Sequence, residues 1–169
     1  MRTTLKIPAN LLADVRADLA RPHAHAFERV GFITAGACWQ TDGTLVLIAA
    51  RYAVVNDDHY EQNSKVGAQI GAGAFRQVLQ QAYATGRSVL HVHTHGRRGI
   101  PAFGRTDLVS GGQFVPSFFS TIPAMPHGML VLSDTHATGL VWRQANQRPD
   151  YLSRIVEVGA SLKNIGGKQ

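Results

Sequence analysis

The sequence predicts an α/β domain, and three observations carry that reading. Segments whose apolar residues recur at helical spacing alternate with short apolar runs bounded by turn residues. The chain has 169 residues, 44% of them apolar, enough to bury one core of its own. No internal repeat and no low-complexity linker divides it, so residues 1–169 are read as a single domain.

The elements follow in order. "NLLADVRADL", Asn10 to Leu19, sets Leu11, Leu12, Val15 and Leu19 on one helical face, with Asn10 as the expected N-cap after Pro8. "RVGFITAGACW" and "LVLIAARYAVV" read as two strands joined as a hairpin through the turn "TDGT". "GAFRQVLQQAYATG" places Phe75, Val78, Leu79 and Ala82 at helical spacing, and Gly86 can close that helix in the left-handed conformation. "SVLHVH" is a short strand of the buried type. "TDLVSGGQFVPSFF" starts a helix near Thr106 or Asp107, whose length Gly111, Gly112 and Pro116 are expected to limit. "GMLVLSD" and "TGLVWRQ" are two more strands around the polar turn at His136. The tail from Asp150 to Leu162 reads as a helix and "NIGGKQ" as a fraying end. The succession α, β, β, α, β, α, β, β, α is that of an α/β sandwich.

Composition narrows the function classes. The longest apolar run, Leu45 to Ala50, is far short of the roughly 20 residues of a membrane helix, and no basic segment precedes an apolar signal core, so a soluble cytoplasmic protein without a membrane partner is expected. The single cysteine, Cys38 in "GACW", can form no internal disulfide and reads as a small core residue. Seventeen Lys and Arg against eleven Asp and Glu give +6, which suits an acidic partner. The arginines are scattered, only Arg97 and Arg98 are adjacent, and no RNA-binding or zinc-finger signature is present; a nucleic acid is therefore not the expected partner. Trp39 and Trp142 read as core or surface aromatics rather than a stacking platform.

The chemistry concentrates in "LHVHTHGRRGIPAFGRTD", residues 90–107. On a strand His91, His93 and His95 share one face, neighbours ~6.6 Å apart and the outer two ~13 Å. A metal held ~2.0–2.1 Å from each imidazole nitrogen is reached by a neighbouring pair but not by the outer two. A hydrolytic zinc site adds a third protein ligand, a water and a base. Asp107, returned by the loop to a helix start, is the candidate third ligand. Glu28, opening the strand "FERVGFITAG", is the candidate base. His23 and His25 in "RPHAHAF" form a second H-x-H, but they follow a proline and have no returning carboxylate other than Glu28, so they read as loop.

Glu28 before "VGFITAG", then a helix, then H-x-H and a loop ending in x-x-D, resembles the JAMM metalloprotease family, also called MPN+ or JAB domains. The likeness spans roughly Phe27 to Arg143 and is greatest to bacterial members that accompany ubiquitin-like conjugation systems. It implies a JAB/MPN-like (cytidine-deaminase-like) three-layer sandwich with a mixed curved sheet flanked by helices, its core at about 27–143 between N- and C-terminal helices. It makes His93, His95 and Asp107 ligands of Zn2+, since this pair leaves the loop to Asp107 one residue longer than the family spacing and His91 with His93 would leave it three longer. His91 is left to pack under the site or to hydrogen-bond a ligand's neighbour. Glu28 becomes the general base and acid. The family's oxyanion-stabilising serine, three residues before the aspartate, is Gly104 here in "PAFGRTD", with a loop N–H or Ser110 as the replacement donors to look for.

The activity so implied is cleavage of the amide bond after the C-terminus of a ubiquitin-like protein. The implied partners are that protein, its conjugates, and activating and conjugating enzymes of the same operon, with Arg97, Arg98 and Arg105 beside the metal to meet an acidic surface. Two other classes stand beside it: a metal-free interaction scaffold of the same fold, which Gly104 favours, and a nucleic-acid-associated RadC-like relative, which only the net charge suggests.

Overall fold

The computed structural model describes residues 2–24, 26–63, 67–96, 98–159 and 161–167. The chain begins with a strand that the sequence reading passed over, β1 (Thr3–Pro8), in which Thr3, Leu5 and Ile7 alternate inward. Pro8 ends it and serves as N-cap of α1 (Ala9–Leu19); Asn10 lies inside the first turn, and no side chain caps the helix. Leu12, Val15 and Leu19 form its buried stripe. β2 (Val30–Trp39) and β3 (Leu45–Val54) make the expected antiparallel hairpin. Its turn is closed by Gly43 N–H to the Gln40 carbonyl, with Gly43 at φ 80°. A 3-10 turn at Asp57–His59 leads to α2 (Ala72–Thr85), and Gly86 at φ 58° caps it in the left-handed region as expected.

β4 (Ser88–Thr94) is buried through His93. α3 (Arg105–Phe118) runs straight through Gly111, Gly112 and Pro116, so these residues do not shorten it. Gly111 has a packing reason: a Cβ there would lie 2.3 Å from Met129 Sδ, so the glycine lets the helix approach the sheet closely. β5 (His127–Leu132) and β6 (Ala137–Trp142) pair antiparallel around His136. The expected C-terminal helix is absent. In its place stand β7 (Asp150–Tyr151), β8 (Arg154–Val158) and β9 (Leu162–Gly166), so "NIG" of the supposed fraying end belongs to a strand. The β-branched run "RIVEV" packs on a pleated surface, and β8 supplies the parallel neighbour that β1 needs.

All nine strands of the described residues join one mixed sheet, ordered β7-β6-β5-β4-β2-β3-β1-β8-β9, with β1/β3, β1/β8 and β4/β5 parallel. Alternate residues of each strand feed two cores. Ile33, Ala35, Leu90, Val92, Leu130 and Leu132 face α1, while Phe32, Val89 and Met129 face α2 and α3. The sheet curls until β9 reaches β6: a Cβ on Gly166 of β9 would lie 1.9 Å from the Ala137 carbonyl oxygen of β6. The fold is α/β, a curled mixed sheet with helices on both faces. No described helix is long and apolar enough to cross a membrane. Cys38 is exposed rather than in the core, because β2 extends past the packed faces at its end. Trp142 is buried, whereas Trp39 is about half exposed under the Arg143 guanidinium.

Candidate metal centre

His91 and His93 stand on the face of β4 that looks toward α2 and α3. The alternation continues past the strand end, because His95 N–H bonds the Leu132 carbonyl at 3.0 Å and keeps the chain extended for one more step. Gly96, at φ 48°, then turns it away. The returning loop is pinned to the β5–β6 hairpin, by Ser133 Oγ on the Gly99 carbonyl and Thr138 Oγ1 on the Pro101 carbonyl, both 2.6 Å. It delivers Gly104 as N-cap of α3, whose third residue is Asp107. The Gly104 N–H donates to Asp107 Oδ2 at 2.7 Å, fixing the carboxylate at the helix start.

Three side chains converge. The Nε2 atoms of His93 and His95 are 3.2 Å apart, and the Asp107 oxygens lie 3.5 Å from the first and 3.4 Å from the second. Ligands ~2.0–2.1 Å from a tetrahedral ion are ~3.3–3.4 Å from one another, close to the separation of the two imidazole nitrogens, while Asp107 turns Oδ1 toward His93 and Oδ2 toward His95, so the three side chains can share one small cation. Burial alone would raise the Asp107 pKa, but the His93 imidazole, the Gly104 N–H and His95 together hold it below the ordinary carboxylate value.

Glu28 joins from the neighbouring strand. β2 and β4 pair antiparallel with Val30 opposite His93, and the same register continued two residues sets Glu28 opposite His95. Glu28, His93 and His95 offer ligand atoms within 4.8 Å of one another. Two triads thus share the histidine pair, one completed by Asp107 and one by Glu28, and Glu28 stands where it can meet a water held by the first.

Sequence reasoning missed the residues that fix Glu28. Phe27 and Glu28 both donate their N–H to the Gly67 carbonyl, at 2.8 and 3.1 Å. A Cβ on Gly67 would lie 2.8 Å from the Glu28 carboxyl, so only glycine leaves that carboxylate its place. Arg29 is 3% exposed; it donates to the carbonyls of Arg21 and Pro22 at 2.9 Å each and to Asp57 Oδ1 at 2.7 Å. Tyr60 Oη accepts the Val30 N–H at 2.9 Å. Nothing in the sequence separates Arg29 from the exposed arginines.

His91 packs between Phe32 and Phe114, with ring centroids 5.5 and 4.9 Å away. Burial, assisted by the neighbouring His93, pushes its pKa down to about 3, so it is neutral. The Nδ1 atoms of His91 and His93 are buried with no hydrogen-bond partner among the described residues. Two of the donors that could replace the missing serine are engaged. The Gly104 N–H is bound to Asp107, and the Ser110 hydroxyl donates to the Thr106 carbonyl at 2.8 Å. His23 lies in the loop before β2, stacked on Tyr60 at 4.3 Å with Nδ1 accepting the Ala26 N–H. His25 and Arg97 fall outside the described residues. Arg98 and Arg105 are exposed on the returning loop and the first turn of α3.

No family model matches this sequence, and no curated protein matches it. Among solved structures, the STIL N-terminal domain of Trichoplax adhaerens is similar over 81% of this chain and 41% of its own length, with 8% identity and a TM-score of 0.38. That likeness is too slight to bear on fold or function.

Proposed function

We propose that the chain is a zinc-dependent isopeptidase or peptidase of JAMM type, with a JAB/MPN-like fold, that cleaves the amide bond after the C-terminus of a ubiquitin-like protein in the bacterial cytoplasm. The observation that supports this most is the 3.2–3.5 Å triangle of His93, His95 and Asp107, with Glu28 facing it across the β2/β4 ladder. A zinc ion bound there would polarise the scissile carbonyl and lower the pKa of a water toward neutrality. Glu28 then accepts the proton of the attacking water and delivers it to the leaving amine. The Gly67 carbonyl anchors the Glu28 backbone, Arg29 ties the lead into β2 to the Arg21 and Pro22 carbonyls and to Asp57, and Arg98 and Arg105 present positive charge to an acidic modifier.

A second reading has its own observation. Gly104 brings no hydroxyl, and its own N–H and the Ser110 hydroxyl are engaged, which favours a slow enzyme or a catalytically inactive scaffold. One assay separates them: a reporter fused behind a ubiquitin-like protein encoded in the same operon, a reporter carrying only the tail, and both repeated with a zinc chelator and with Glu28→Gln. Cleavage of the fusion, poor cleavage of the tail alone, and loss of ~100-fold or more with chelator or variant are expected. Chelator-insensitive cleavage contradicts the metalloprotease reading, and an uncut fusion favours the scaffold.

A further inference from the structure

The candidate metal residues lie between unlike surroundings. On one side, cavities running past Glu28 and His95 are lined by Arg21, His23, Arg29 and Arg98 together with loop backbone. On the other, Glu28, His93 and Asp107 line a cavity of about 430 Å³ together with Gln69, His91, Thr106, Ser110 and Gln113 and with a group of apolar side chains. Val30, Ala68, Ile70, Phe75, Phe114 and Met129 make the apolar wall. Val30 and Met129 are buried at its base, and Phe75 is braced by Phe32 and Phe114 with ring centroids 5.5 Å away in each case. The rings are held from behind by α2 and α3, so the concavity is preformed rather than a gap between mobile side chains.

A cavity of this volume that combines such an apolar wall with polar groups beside it suits one bulky apolar group whose polar end meets those polar groups. His93 and Asp107 belong both to the candidate metal set and to the lining of this cavity, so an amide held at the metal residues has the Phe75–Phe114 wall in the adjoining space. We propose that this cavity is a specificity pocket that receives an apolar side chain of leucine, methionine or phenylalanine size on a residue adjoining the scissile amide. The proposal rests on the amide-hydrolase reading and adds a substrate class to it: a chain with a bulky apolar residue at the cut, not a run of small residues alone.

The test uses two probe series with the full-length protein. Acetohydroxamate, isovalerohydroxamate and 3-phenylpropanohydroxamate are titrated calorimetrically into the zinc-loaded protein. The matching carboxamides are added to the metal-free protein while the Met129 methyl resonance is followed by NMR, with Met125 as internal control. Affinity should rise about tenfold or more from the acetyl to the phenylpropanoyl hydroxamate. 3-Phenylpropanamide should shift the Met129 methyl where acetamide does not. Ala68→Trp, which fills the cavity from its rim, should abolish both effects with zinc content retained. Tail-independent affinity, or a Met129 methyl silent to every carboxamide, would overturn the pocket whether or not zinc binds. A Met129 shift in a protein that binds no hydroxamate would instead overturn the amide-hydrolase reading.

Discussion

Glu28 meets the histidine pair through strand register rather than through any sequence spacing, and its carboxylate has room only because residue 67 is glycine. Gly104 works differently. It stands at the N-cap of α3, where serine is a preferred residue, and a Cβ there would lie 3.3 Å from Asp107 Oδ2. Serine therefore fits with a displacement of a few tenths of an ångström. If turnover is limited by the lost hydroxyl, Gly104→Ser should raise kcat by roughly 10- to 100-fold without changing zinc content. A parent enzyme unimproved by this change, with zinc retained, would mean that another group holds the developing oxyanion.

Among the elements, β5 depends on a histidine that has no part in the candidate site. His127 is fully buried; Nδ1 accepts the Val89 N–H and Nε2 donates to the Ile122 carbonyl, both at 3.0 Å, which requires the neutral ring. Burial lowers its pKa below the ordinary histidine value. The unfolded chain takes up this proton first as pH falls, so the stabilisation is complete above about pH 6.5 and is lost progressively below it. His127→Ala should cost about 2–4 kcal/mol at pH 8, by emptying a core position and orphaning two backbone groups. Denaturant titrations at pH 8 and pH 5 should show the wild-type advantage shrinking toward the lower pH, and an advantage independent of pH would contradict the neutral-ring assignment.

The same scale shows what the sequence made legible. α1, the β2–β3 hairpin, α2 with its Gly86 cap, β4 and the β5–β6 hairpin announce themselves by apolar period and turn chemistry. β1 is six residues long and merges into α1 at Pro8, so its alternation is too short to stand out. The tail misled because charged residues interleave "RIVEV" in a way that also suits a helix, and only the unpaired edge of β1 decides for a strand. In the site, His93, His95 and Asp107 could be singled out by type and spacing, whereas Gly67, Arg29 and the apolar cavity exist only after the chain has folded.

At the scale of the whole molecule, the curled sheet closes where β9 reaches β6. Gly166→Val would drive a side chain into the Ala137 backbone, and unlike a clash with a flexible side chain this contact cannot be relieved by a rotamer change. A loss of 2 kcal/mol or more in urea unfolding is expected, and a neutral effect would show that the sheet ends are not held together in solution. The candidate metal centre draws on three separate parts of this sheet: the lead into β2, the end of β4 and the start of α3. An ion that binds only this assembled arrangement should raise the thermal midpoint of the protein as well as enable chemistry.

Whether one ion sits between His93, His95 and Asp107 is read most directly by elemental analysis of the purified protein and its single variants. About one zinc per chain is expected for the wild type, Glu28→Gln and His91→Phe, with most of it lost in His93→Ala, His95→Ala and Asp107→Ala. Full occupancy in His95→Ala, or a loss confined to His91→Phe, would contradict the assignment.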